Sequence, residues 1–114
     1  MQQNPTVFLV EDEPALRNGT EQFLRQRGFT VVTATSGEEA LDKFAGADVI
    51  VLDIMLPGMS GIEVLHQIRQ TSDVPILMLT ALHDEPTQIA SFDELADDYM
   101  SKPFSLVILE KRIK

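Results

Sequence analysis

Three uninterrupted apolar runs constrain this chain more than any other feature: Val7-Phe8-Leu9-Val10, Val49-Ile50-Val51-Leu52 and Ile76-Leu77-Met78-Leu79. A strand with one wet face alternates apolar and polar residues, whereas a run without alternation is buried on both faces. A parallel sheet covered by helices on each side is the architecture that demands such strands. Two weaker stretches, 29–34 and 97–101, are interrupted by polar residues and read as the two edge strands.

The segments between these runs have helical character. Leu16, Thr20, Phe23, Leu24 and Arg27 fall near helical spacing, and Gly28 is a natural stop. Ser36-Gly37-Glu38-Glu39 predicts a capping box, with Glu39 reaching back to the Ser36 amide, and Ala40, Leu41 and Phe44 supply the inner face. Ser60-Gly61-Ile62-Glu63 repeats the device before Leu65 and Ile68. Asp84 caps a fourth helix with Pro86 in its first turn, and Ser105 caps a fifth that is short at Lys114. Five strands, each followed by a helix and joined by right-handed crossovers, with polar strands at both edges, suit the order 2-1-3-4-5. The expected fold is an α/β, flavodoxin-like three-layer αβα sandwich on a five-stranded parallel sheet.

Composition narrows the function classes. A chain of 114 residues makes one domain, spanning 1–114, and 44% hydrophobic residues suffice for a core. Eighteen acidic residues against nine basic ones give a net charge of −9, which repels nucleic acid and anionic membranes. The absence of cysteine excludes disulfides, thiolate zinc sites and thiol catalysis. No apolar run approaches the roughly 20 residues of a membrane span, and residues 1–5 do not resemble a signal peptide. The default reading is a cytoplasmic domain.

In an open parallel sheet, ligands bind beyond the carboxyl ends of the strands, where the strand order reverses. The polar residues follow the apolar runs at those ends: Glu11-Asp12-Glu13 after the first strand, Asp53 after the third, Thr80 after the fourth and Lys102 after the fifth. Glu11, Asp12 and Asp53 are expected to converge. Two unit charges about 4 Å apart repel by about 4 kcal/mol at an effective dielectric near 20, so the pocket needs a cation, or one acid must keep its proton. Oxygen ligands favour Mg²⁺ or the similar Mn²⁺. A carboxylate nucleophile, a divalent cation, a lysine and a hydroxyl make a phosphoryl-transfer site.

At these residues the sequence resembles the receiver domain of two-component response regulators. The resemblance is carried by Phe8-Leu9-Val10-Glu11-Asp12-Glu13, by the stretch from Val51 through Asp53 and Pro57 to Gly61, by Leu79-Thr80-Ala81, and by the stretch from Ala96 through Tyr99 to Lys102-Pro103-Phe104. It covers essentially the whole chain. It implies that Asp53 is the phosphoacceptor and that Glu11, Asp12, Asp53 and the Met55 carbonyl hold the metal. It implies that Lys102, Thr80 and the Ala81 and Met55 amides bind the phosphoryl group, and that Thr80 and Tyr99 form the switch. The implied donor is a phosphohistidine on a sensor histidine kinase. The resemblance also implies a domain that is not an enzyme in its own right but assists its own phosphotransfer and dephosphorylation, with Met55 and Leu82 expected to flank the path of the hydrolytic water. Three departures stand out: Glu11 for a common aspartate, Leu95 for a usual glycine, and Ile108 where a related subfamily often has glutamate.

Leu106, Leu109 and Ile113 share one face of the last helix, whereas Val107 and Ile108 point elsewhere and ask for a second neighbour. Relatives fused to winged-helix DNA-binding domains dimerise through this region. The resemblance therefore implies a phosphorylation-dependent homodimer face made by the fourth helix, fifth strand and fifth helix, with Ile108 on the face and Asp97, Asp98 and Arg112 at its rim, within the N-terminal part of a longer, transcriptional regulator. His66 reads as an exposed helix residue, and His83 lies just past Thr80. The competing reading is an interaction module of the same fold that ignores phosphorylation. A phosphatase with an aspartate nucleophile needs a second acid where this chain has Met55. A flavin site needs amides and hydroxyls where it has Glu11-Asp12-Glu13-Pro14.

Overall fold

The computed structural model describes residues 5–81, 96–102 and 104–113, with the backbone alone at 80, 81, 101 and 102. Five strands, β1 (Thr6–Val10), β2 (Thr30–Ala34), β3 (Val49–Asp53), β4 (Ile76–Ala81) and β5 (Asp98–Lys102), form one sheet. All pairings are parallel, in the order β2-β1-β3-β4-β5. Among the described residues the helices are α1 (Pro14–Gln26), α2 (Gly37–Lys43), α3 (Gly61–Arg69) and α4 (Leu106–Ile113). The helix expected after Asp84, together with Leu82, His83, Leu95 and Pro103, lies outside the described residues.

The apolar runs serve two cores at once. Phe8, Val10, Ile50, Leu52, Ile76 and Met78 meet Ala40 of α2 and Val64, Leu65 and Ile68 of α3 on one face. Val7, Leu9, Val49, Val51, Leu77 and Leu79 meet Leu24 of α1 and Leu109 of α4 on the other. Every residue of β3 is buried. The strands run further than the hydrophobic pattern: Thr80 pairs with Ser101 and Ala81 with Lys102. A ladder continues wherever the neighbouring backbone offers partners, whatever the polarity of the side chains.

The helix ends follow local chemistry. Glu13 caps α1 by accepting the Ala15 and Leu16 amides at 3.2 and 3.0 Å. Gly28, at a φ of 96°, supplies the left-handed turn after it. The Ser36 hydroxyl accepts the Glu39 amide at 3.1 Å, and the Ser60 hydroxyl accepts the Glu63 amide at 3.3 Å. The reciprocal bond at Ser36 differs from expectation. The Glu39 carboxylate reaches one residue further back, where it accepts both the Thr35 amide at 2.8 Å and the Thr35 hydroxyl at 3.1 Å.

Its other oxygen pairs with Lys43 at 2.7 Å. Chiefly through Lys43, then through the Thr35 amide, the Glu39 carboxyl is held down at about 2. A folded-state value below the unfolded one stabilises the fold above the unfolded value, and this contribution fades as pH falls toward about 2. Replacing Glu39 by Gln is therefore expected to lower the urea midpoint at pH 7, and the gap from the parent should close on acidification toward pH 2. The effect should stay below about 1 kcal/mol, since water screens a partly exposed pair.

One core feature runs against pattern. Thr20 on α1 is 1% exposed, and its hydroxyl has no hydrogen-bond partner among the described residues. A buried hydroxyl without a partner costs about 1–3 kcal/mol, whereas valine keeps the shape and has nearly the same helix propensity. Thr20→Val is expected to raise the urea midpoint, by about 1 kcal/mol of stability.

Candidate functional site

The site lies at the carboxyl ends of β1 and β3, the two strands from which the sheet grows in opposite directions. Val10 pairs with Leu52, so the residues that follow, Glu11 just past β1 and Asp53 at the end of β3, stand side by side. Both are almost wholly buried, at 1% and 2% exposure, whereas Asp12 is exposed. Oxygens of the three carboxylates all lie within 4.8 Å of one another. The convergence expected of Glu11, Asp12 and Asp53 is thus present.

Backbone amides orient the two buried acids. Asp53 Oδ1 accepts the Met55 amide at 3.2 Å, and Glu11 Oε2 accepts the Glu13 amide at 3.1 Å. Because Glu13 caps α1, Asp12 is left to join the cluster. The loop after β3 is drawn tightly against the strand: the Gly61 amide donates to the Ile54 carbonyl at 2.8 Å. A methyl group on Gly61 would lie 2.8 Å from both the Asp53 carbonyl carbon and Ile54 Cα, and would overlap the Asp53 carbonyl oxygen. Glycine is therefore required for α3 to start this close to the acid.

The remaining candidates take these places. The Met55 amide faces the Asp53 carboxylate, while the Met55 side chain is exposed. The backbones of Thr80 and Ala81 close β4, and Lys102 closes β5 opposite Ala81. The side chains of Thr80 and Lys102 lie outside the described residues. Tyr99 pairs with Met78 in the ladder and is 40% exposed. Asp97 accepts from Arg69 at 2.9 Å and from the Ile76 amide at 2.8 Å, and both oxygens of Asp98 accept from Arg112 at 2.7 Å. These three expected rim residues are thus engaged within the chain, while Val107 and Ile108 are exposed. His66 is exposed as expected.

Sequence reasoning missed Arg17. Its guanidinium, from the first turns of α1, donates to the Glu11 carbonyl at 3.2 Å and the Asp12 carbonyl at 3.4 Å. A signal was available: a cation near a helix N-terminus opposes the helix dipole and calls for a compensating contact.

The donor set suits a hard divalent cation. Oxygens bound to one Mg²⁺ at about 2.1 Å stand at most about 4.2 Å apart, and the observed spread is within a small side-chain rotation of that. Three carboxylates in one small space repel, and a cation removes that cost. Among the described residues, no helix is long and apolar enough to cross a membrane.

Comparison with known proteins agrees with this geometry. Residues 7–114 match the family described as "Response regulator receiver domain". Response regulator RR06 of Streptococcus pneumoniae is 46% identical over 110 residues, covering 95% of this chain and 51% of that protein. Transcriptional regulatory protein AfsQ1 of Streptomyces coelicolor is 41% identical over 112 residues, covering 96% and 50%. The chain thus spans about half the length of these curated relatives. Among solved structures, the Francisella response regulator 1452 receiver domain superposes with a TM-score of 0.88 at 32% identity, covering 96% of this chain and 93% of that one.

Proposed function

Since the chain belongs to the response regulator receiver domain family, we propose that it is a signalling switch in which Asp53 accepts a phosphoryl group from a sensor histidine kinase. The observation that carries this reading is the clustering of Asp53 with Glu11 and Asp12 at the point where the strand order reverses. A carboxylate oxygen of Asp53 attacks phosphorus in line; the new O–P bond forms as the bond to the donor breaks, and the donor leaves with that electron pair. Glu11, Asp12, Asp53 and the Met55 carbonyl would hold Mg²⁺ or Mn²⁺. The bound ion supplies charge neutralisation at the phosphoryl oxygens. The Met55 amide, which faces the Asp53 carboxylate, donates to the transferred group, as do the Ala81 amide and Lys102 at the ends of β4 and β5. Acyl-phosphate hydrolysis, assisted by the same site, resets the switch.

The product carries about −2 charge. Thr80 is drawn toward it, and Tyr99 follows into the space released. The exposure of Tyr99, Val107 and Ile108 supports a partner face that responds to this shift. The face forms a homodimer, with Ile108 on it and Asp97, Asp98 and Arg112 at its rim. The receiver unit, residues 1–114, is the N-terminal part of a longer regulator whose output is transcriptional and of the winged-helix DNA-binding kind. Two observations support that placement: the chain spans half the relatives' length, and one of those relatives, AfsQ1, is a transcriptional regulatory protein. DNA contact belongs to the output part, because this segment carries a net charge of −9. The domain acts in the cytoplasm, where a kinase would meet it.

Incubation with acetyl phosphate and Mg²⁺ tests the reading. The expected result is a single phosphoryl adduct mapped to Asp53, with an increase in solution mass on phosphorylation. A chain that takes no label, with or without Mg²⁺, would instead be a phosphorylation-independent interaction module.

A further inference from the structure

Arg17 is half-buried on α1, and one guanidinium nitrogen contacts two consecutive carbonyls, those of Glu11 and Asp12. These are the backbone groups of the two acids that lead out of β1. The same short turn holds a third bond, from the Glu13 amide to Glu11 Oε2. The turn must do two things that conflict. It must leave a buried carboxylate and an exposed one within reach of Asp53, although their mutual repulsion drives them apart. A guanidinium bridging both carbonyls fixes the backbone from which the two side chains spring.

We propose that Arg17 is a positioning residue that locks the β1–α1 turn so that the Glu11 and Asp12 carboxylates stay gathered beside Asp53. The proposal rests on the reading of that cluster as a cation site and adds to it a residue that touches neither the cation nor the phosphoryl group. The sign of its effect separates positioning from simple electrostatics. A positive charge near a cation site weakens cation binding, so its removal, if charge alone mattered, would tighten the site. Loss of a positioning contact has the opposite result, because residues that orient metal ligands typically set affinity by about tenfold or more.

The test uses this chain with Arg17→Ala and Arg17→Lys, titrated with MgCl₂ alone and followed through the amide resonances of Asp12, Asp53 and Met55. Arg17→Ala is expected to weaken Mg²⁺ binding about tenfold. Arg17→Lys keeps the charge on a shorter side chain without the planar fork, and should restore only part of the loss. Without metal, the Glu13 amide should exchange with solvent faster in Arg17→Ala, while the β3 amides keep parental rates. Unchanged or tighter Mg²⁺ binding with an unchanged Glu13 amide overturns the proposal, as does full recovery in Arg17→Lys. A parent chain indifferent to Mg²⁺ whose Glu13 amide still loosens in Arg17→Ala would uphold the lock and overturn the cation-site reading, so the two fail separately.

Discussion

Asp53→Asn is expected to abolish labelling by acetyl phosphate while leaving the metal-free fold at least as stable as the parent. The two halves have one cause. In the proposed transfer the carboxylate supplies the nucleophilic oxygen, and a neutral amide oxygen is far too weak a nucleophile to replace it. The same carboxylate is buried at 2% exposure within 4.8 Å of the Glu11 and Asp12 oxygens. Removing its charge removes repulsion, and the asparagine carbonyl oxygen can still accept the Met55 amide. The gain should be of the order of 1 kcal/mol without metal and should shrink as Mg²⁺ is added, because the cation already relieves the parent. Mass spectrometry of the acetyl-phosphate reaction reads the first half, and urea unfolding with and without Mg²⁺ reads the second. A variant that still takes label would move the acceptor elsewhere. A marked drop in the metal-free midpoint would show that the attractive contacts of the Asp53 carboxylate outweigh its crowding.

Gly61→Ala should have the largest effect on stability. The added carbon meets the Asp53 carbonyl group and Ile54 Cα, all backbone atoms of the strand end and the loop at Asp53. Flexible side chains can step aside; a strand buried on both faces cannot. We expect a loss of at least about 3 kcal/mol in urea unfolding, and weaker phosphoryl labelling in whatever fraction stays folded, because relief of the overlap must move Asp53 or α3. Gly19→Ala is the internal control. That glycine lies within α1 with nothing within 4 Å of an added methyl, and alanine there should stabilise by about 0.5–1 kcal/mol. Equal effects at the two positions would mean that the close approach at Gly61 is not what holds the loop.

The acidic triplet after β1 shows where reading the chain stops. Glu11, Asp12 and Glu13 are each chemically able to cap a helix or to face a cation. Composition cannot divide those tasks, and an aspartate or a glutamate cap is equally open to it. The division comes from the path of the backbone: Glu13 reaches the Ala15 and Leu16 amides, Glu11 turns inward onto the Glu13 amide, and Asp12 is left beside Asp53. Arg17 and Gly61 escape a sequence reading for a related reason. Their roles depend on which carbonyl groups they meet, and although the place of Arg17 near a helix start calls for a contact, residue type does not say with which carbonyl.

The residues themselves marked the strands of a covered parallel sheet, because unbroken apolar runs suit burial on both faces between layers of helices, whereas the order 2-1-3-4-5 came from matching that pattern to a known arrangement. They also determined where polar chemistry must gather, at the strand ends beyond those runs. Tertiary structure alone decided which acid faces which, what pins the turn that carries them, and that Asp97, Asp98 and Arg112 are already engaged within the chain. Hydrophobic burial depends on residue type and spacing, which are written along the chain, whereas hydrogen bonds and ion pairs depend on ångström-scale placement of groups far apart in sequence.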